Sequence, residues 1–546
     1  MTMQQQADVI LTSNAVFTGL SDTPIASSIA IRGNKIAAIG SDEEMQPWIG
    51  PDTKIYQFDD QLIMPGFHDF HLHIILGSIF LDSIYLHEAR SEEEVAAMVK
   101  EYAESRPEEQ WIIGFSWDAG FWQNKQLPHR SSLDKVLPDR PAILFHNEGH
   151  YAWVNSKALE VMNVTKDTPN PQFGVIYKDE NGEPTGVLSE HAMALITDGA
   201  YNLTKEKKIK MITNFFQHAA RLGITSMNDL YATEVYEKLE DYGIFKEFEE
   251  NGSLSARVHL LPALNSDLDR AKRLKETYQS SMLRVVALKQ FVDGVVTAHT
   301  AHLLEPYANR PEFCGDTAFP PDVIKKWVKD ADKEGFSIRF HALGDGAVRL
   351  ALDAFEEAQK ANGKRDSRHS IEHIEVIHPD DIHRFNELGV IASIQPDHMY
   401  AADRETYINF IGEDRGQYAW ATRSILDTGA NVAISSDFPI VGLNPMPEIY
   451  RAVTRIDNSD EREWNPEQSI SLADALKAYT AIPAYGTFRE HELGTLEVGK
   501  LADIVVLDRN LFAVPTEEIL ETTVKITMVD GKIVFEDGDI SKERDR

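Results

Sequence analysis

A chain of 546 residues exceeds what one hydrophobic core usually serves, so one large domain with additions, or two to three domains, is expected. With 42% hydrophobic and 26% charged residues the composition is that of a folded globular protein, not a disordered or fibrous one. A formal charge of −33, with 87 acidic against 54 basic side chains and no block of Lys and Arg, argues against nucleic acid or an anionic membrane as partner.

The single cysteine, Cys314, excludes an internal disulfide and a thiolate zinc site, which leaves the 19 histidines and the carboxylates as metal ligands. Met1 to Ala7 is polar and lacks the features of a signal peptide, and no apolar stretch reaches membrane-span length, so a cytoplasmic protein is expected.

Taken in chain order, Ser28 to Gly40 places a Gly-containing turn between alternating apolar runs and predicts a β-hairpin. The first buried strand is read over Ile63 to His73. About 150 residues then separate it from the next run, too many for one crossover, and this Trp-, Phe- and Gly-rich stretch predicts an inserted subdomain over 80–205. Seven further runs follow: Ile224 to Leu230, Arg257 to Leu264, Arg284 to Phe291, Ser337 to Ala342, His369 to Ile374, Ile391 to Gln395 and Asn431 to Asp437.

Amphipathic stretches such as Pro321 to Gly335 and Ala347 to Asn362 fill most of the gaps. The alternation predicts an α/β fold, a TIM-like (β/α)8 barrel over 63–490 with its insertion after the first strand. Ala502 to Leu507 reads as a compact strand and Ile526 to Gly538 as a second hairpin. These segments and the N-terminal one predict a discontinuous β-sandwich from 1–62 and 491–546, with a frayed tail after Gly538.

His71 and His73 end the first strand two residues apart, and the period of a strand points both rings the same way. Lys289, His341, His373 and Asp437 then fall one per strand at the C-terminal ends of the fourth, fifth, sixth and eighth strands, where barrels assemble their active sites. Lys289 sits in the apolar run VVALKQFVDG, where an ammonium is costly unless neutralised or paired. Either it pairs with Asp293, or its free amine takes up carbon dioxide and becomes a carbamate that bridges two cations.

One or two divalent ions, with zinc and a binuclear centre favoured, are therefore expected among His71, His73, Lys289, His341, His373 and Asp437. Zinc lowers the pKa of a bound water to near 7, the resulting hydroxide attacks a polarised carbonyl, and Asp437 carries the proton to the leaving amine.

These residues, in this order, resemble the amidohydrolase superfamily, and the stretches MPGFHDFHLH (64–73), GHYAWVNSKAL (149–159), KQFVDG (289–294), IEHIEVIHPDD (371–381) and SSDFPIVGLNPM (435–446) narrow the resemblance to amidohydrolase family 3, which includes N-substituted formamide deformylase. GTLEVGKLADIVVLD (494–508) and MVDGKIVFE (528–536) extend it to the end of the chain.

The resemblance implies that His71, His73 and Asp437 bind the more buried ion, that His341 and His373 bind the second, and that carbamylated Lys289 bridges them. It also implies Trp117, Trp122 and His150 near the substrate, although the two tryptophans could equally form the insertion's own core. Two departures concern substrate choice: Glu148 where the family carries a shorter acid, and His299 and His302 after Asp293.

Cleavage of a C–N bond in a small amide, N-formyl or N-acyl compound is the reaction expected. A cyclic amide, carbamate, ester or aminated ring would use the same site, and loss of catalysis would leave a binding scaffold. A barrel glycosidase would need paired carboxylates instead of a histidine cluster. A homodimer is the commonest assembly for such a soluble enzyme.

Overall fold

The computed structural model describes residues 6–538 apart from 148, 232–234, 236–238, 402 and 458–461, so Glu148 and the tail beyond Gly538 lie outside the described residues. Its centre is a ring of short parallel strands: Phe67–Leu72, Ile224–Leu230, Arg257–Leu261, Leu283–Val285 continued by Leu288–Phe291, Ile338–Ala342, Ser370–His373, Ile391–Ile394 and Val432–Ile434. Nearly every residue in these strands is buried, because helices cover the outer face and the barrel interior covers the inner one.

Bridges Leu72 to Phe438 and Ala263 to Lys289 join the two hydrogen-bonded arcs into a closed barrel. The covering helices carry their apolar residues at helical spacing. Pro321–Lys333, for example, opens on a proline, buries Ile324, Val328 and Ala331, and is followed by Gly335 at φ 78°.

Two runs that read as continuous in the sequence are broken. Ile63 to His73 divides at Gly66: Leu62–Pro65 pairs antiparallel with Ile504–Leu507 of the terminal sheet, and only Phe67–Leu72 enters the barrel. A Cβ at Gly66 would lie 2.1 Å from the Thr225 side chain, so the crossing demands glycine. The fourth strand breaks at Val286 and Ala287, where its first part pairs with Arg257–Leu261 and its second with Ile338–Ala342. Pro262, which has no amide hydrogen, follows the third strand at this break, and its carbonyl accepts from Lys289 instead.

Both chain ends meet in one eight-stranded sheet whose main path runs from Lys532–Glu536 through Val524–Val529, Ile504–Leu507, Leu62–Pro65, Val9–Val16 and Ile25–Arg32 to Lys35–Gly40. Its inward residues, among them Leu11, Ile29, Ile31, Ile504, Val506 and Ile526, form a core separate from the barrel's. Arg257, fully buried in the third barrel strand, ties the two together through bidentate bonds to Asp503 at 2.7 and 2.9 Å and a third to Asp530 at 2.9 Å.

The stretch after the first barrel strand builds a six-stranded sheet over residues 84–190. Ile113, Phe115, Ile143 and Phe145 face the barrel's hydrophobic cluster, while Ile112, Ala142 and Leu144 face the insertion's own. Among the described residues no helix is long and apolar enough to cross a membrane.

Candidate metal centre

His71 and His73 reach the C-terminal mouth of the barrel with both imidazoles held from behind. His73 Nδ1 donates to the Leu230 carbonyl at 2.8 Å, and His71 Nδ1 lies 3.1 Å from Glu372 Oε2. Burial, then Lys289 and the neighbouring histidines, holds the His71 pKa well below the usual imidazole range, so its ring is neutral and its Nε2 carries a lone pair.

Both Nε2 atoms point at Asp437 Oδ1, at 3.2 Å from His71 and 3.3 Å from His73. Two imidazole nitrogens and a carboxylate oxygen converging this closely are the donor types a divalent ion takes, so this set fits one.

Asp437 and His373 have φ of 54° and 78°, in the left-handed region that a non-glycine residue enters at a cost of about 1–3 kcal/mol. The Asp437 turn is held by the hydrogen bond its backbone amide donates to the His71 carbonyl at 2.7 Å and, through Ser436, by Asp69. Asp69 accepts the Ser436 hydroxyl at 2.6 Å, the Tyr479 hydroxyl at 3.1 Å and the His71 amide at 3.2 Å, so the first and eighth strand ends share one buttress. Burial still lifts the Asp69 carboxyl to about 6.

The fifth and sixth strands bring His341 and His373 to the same mouth, their ring centroids 4.6 Å apart. His341 stacks on Phe291 at 4.2 Å and donates Nε2–H toward the Gly294 carbonyl at 3.3 Å, which leaves Nδ1 as the ring's acceptor. His373 is buried, and neither of its ring nitrogens makes a hydrogen bond of ordinary geometry within the protein. Its ring centroid lies 5.0 Å from that of His71.

Lys289 is fully buried beneath these rings with Nζ unpartnered and 4.6 Å from the Phe291 centroid. The pairing with Asp293 that the sequence leaves open is absent. Asp293 instead accepts the amides of His302, Leu343 and Gly344 at 2.8, 3.0 and 3.0 Å. Burial brings the Lys289 pKa down to about 8 against the opposing charges of Glu372 and Asp437, so about a tenth of the amine is deprotonated at pH 7.

His150 reaches the cavity in front of these residues from the insertion, with Nδ1 2.9 Å from Glu190 Oε2. The tryptophans do not line it. Ser116 takes φ 68° and the strand pairing shifts register between Gly114 and Trp117, which turns Trp117 onto the face of Ile112, away from that of Phe115. There it packs with Trp122 and Trp153, centroids 6.0 and 6.2 Å away, and donates to the Leu144 carbonyl at 2.7 Å. Placing Trp117 and Trp122 at the substrate is thus corrected: they form the insertion's core. His299 and His302 also stay off the cavity wall, which Val295, Val296 and Thr297 supply from the same segment.

Sequence reasoning missed Glu372, Asp69 and His398. His398, four residues beyond the seventh strand, is buried with Nδ1 3.1 Å from Glu375 Oε1 and Nε2 3.5 Å from Asp437 Oδ2. Two donor groups therefore share Asp437, one with His71 and His73 and the other with His373 and His398, and within each the candidate atoms lie within 4.8 Å of one another.

A closed α/β barrel with clustered imidazoles and a carboxylate at its C-terminal mouth defines a metal-dependent hydrolase. The chain belongs to the amidohydrolase family, whose model matches residues 59–535. It is 31% identical to the protein LONG AFTER FAR-RED 3 of Arabidopsis thaliana, over 97% of this chain and 92% of that one. It is 25% identical to the N-substituted formamide deformylase of Arthrobacter pascens, over 98% and 99%. A crystal structure of a metal-dependent hydrolase from Pyrococcus furiosus superposes with a TM-score of 0.71 at 28% identity, over 92% of this chain and 99% of that one.

Proposed function

We propose that the protein hydrolyses a C–N bond in a small, neutral amide, with an N-formyl or N-acyl amine as the substrate class. The observation that carries this reading is the convergence of His71 Nε2 and His73 Nε2 on Asp437 Oδ1, at 3.2 and 3.3 Å. The likeness to the N-substituted formamide deformylase of Arthrobacter pascens supports the bond type.

His71, His73 and Asp437 would hold the first ion, and His341 and His373 would contribute to a second, with zinc preferred by so imidazole-rich a donor set. A divalent ion bound there supplies a Lewis acid for the substrate carbonyl and makes water a nucleophile near neutral pH. Asp437 accepts a proton from the attacking water as its oxygen bonds the carbonyl carbon. It then gives that proton to the departing nitrogen as the C–N bond breaks, leaving a carboxylic acid and an amine.

The buried amine of Lys289 suits it to carbamate formation, in which nitrogen bonds the carbon of carbon dioxide and releases a proton. The anion so formed would lie beside His341 and His373 and reduce the charge of a two-ion centre.

Leu76, Phe173, Met193, Val296, Phe319 and Ile440 give the cavity an apolar wall, and its lining contains no Lys or Arg among the described residues. An apolar substituent fits such a wall, while no lysine or arginine among the described lining residues would pair with a free carboxylate on the substrate.

The test is turnover on matched formamides, acetamides and N-acyl amino acids by wild-type protein and Asp437→Asn. Hydrolysis of apolar formamides or acetamides, lowered at least about 100-fold by the substitution, is expected for a lost acid–base group. Equal rates in the two proteins would contradict the role of Asp437, and preference for the carboxylate-bearing amides would contradict the substrate class.

A further inference from the structure

We propose that His398 is a ligand of the second ion, which it holds together with His373 and Asp437 Oδ2. This rests on the metal-dependent reading above and adds to it a donor from beyond the seventh strand, where the run Ile391–Ile394 contributes no ligand of its own.

The first argument is orientation. His398 Nδ1 lies 3.1 Å from Glu375 Oε1, and the other oxygen of Glu375 accepts the Tyr407 hydroxyl in a short hydrogen bond. A carboxylate that accepts the proton of one ring nitrogen fixes the tautomer and sends the lone pair out through the other, the arrangement that commonly stands behind a metal-bound histidine.

The second argument is what Nε2 meets. It is buried and makes no hydrogen bond of ordinary geometry, yet it faces Asp437 Oδ2 at 3.5 Å. His373 Nδ1 lies 4.0 Å from that same oxygen, and the His373 and His398 rings are nearly parallel, 14° apart in plane with centroids 5.5 Å apart. Three buried candidate ligand atoms thus lie within 4.8 Å of one another around one small space that faces the cavity.

A merely structural histidine would satisfy both nitrogens within the fold. Here one is satisfied and the other is directed at a carboxylate already committed, through its first oxygen, to His71 and His73. Asp437 then serves the two ions with its two oxygens.

The experiment titrates the full-length, metal-stripped protein with Co2+, following the visible absorption and the bound metal by elemental analysis. Wild type, His398→Gln and Glu375→Gln are compared after their melting temperatures show that each is folded. Wild type is expected to bind two ions. His398→Gln should bind the weaker of them at least tenfold less tightly with the absorption of the tighter one unchanged, and Glu375→Gln should shift the same weaker ion. Unchanged affinity for both ions in His398→Gln, or a single ion in wild type, would overturn His398 as a ligand. Wild type that binds no ion at all would overturn the metal-dependent reading instead.

Discussion

His71 Nε2 and Asp437 Oδ1 face each other at 3.2 Å across the seam where the first barrel strand meets the eighth. The backbone makes the same connection, through the Asp437 amide and the His71 carbonyl at 2.7 Å, so barrel closure and assembly of the metal centre are one event. A change that opened this seam would therefore cost ion binding as well as stability.

Glu372 orients His71 from the barrel interior and does not itself line the cavity. Glu372→Gln retains the shape and removes the charge that fixes the His71 tautomer. Ion affinity, measured by competition with a chromophoric chelator, should fall about 10- to 100-fold. An unchanged affinity would mean that the Glu372 contact is packing only.

Trp117 and Trp122 predict the opposite pattern. Trp117→Ala empties a fully buried site in the insertion's core and should cost roughly 3–5 kcal/mol, read as a lower melting temperature and a lower urea midpoint. At temperatures where the variant is folded, kcat/KM should match wild type within a few-fold. A selective loss of kcat/KM in a stable variant would return Trp117 to the substrate site.

Asp332 ties the helix Pro321–Lys333 to the strand and loop beneath it. It faces His369 Nε2 at 3.3 Å, and accepts from Asn362 Nδ2 and Arg365 Nε, each at 2.8 Å. Burial pushes its carboxyl upward, but these hydrogen bonds and the Arg365 charge prevail and hold its pKa at about 2, below its ordinary 3.8. A depressed carboxylate contributes stability that is complete above its unfolded pKa and is lost as pH falls through the folded one, here between about pH 4 and pH 2. Asp332→Asn should thus lie on the order of 1–2 kcal/mol below wild type at pH 7, with the gap closing as pH drops through that window. A gap in melting temperature that ignores pH would contradict the ionised role.

What the sequence made legible was whatever lay in register with a strand. The two-residue period set His71 and His73 side by side, and an acid or histidine closing an apolar run gave His341, His373 and Asp437. Glu372 lies in such a run too, but the alternation that aims its neighbour His373 at the mouth sends Glu372 into the barrel, where only a three-dimensional contact identifies its partner.

His398 escaped because Gln395, Pro396 and Asp397 separate it from the strand end, and no period carries across such a turn. The missing ligand on the seventh strand was the available hint. Trp117 misled because one bulge at Ser116 reverses a face, and a non-glycine residue gives no sign of a positive φ. Gly66 is a signal that reading Ile63 to His73 as one strand passes over, since this glycine marks where the run divides between two sheets.

The most direct test of the central claim is to strip the purified protein with a chelator, confirm by elemental analysis that it is metal-free, and assay hydrolysis of an apolar formamide before and after restoring zinc. Loss of turnover on stripping and its return as ions rebind, with no return in Asp437→Ala, is the result expected. Full activity in the metal-free protein would contradict it.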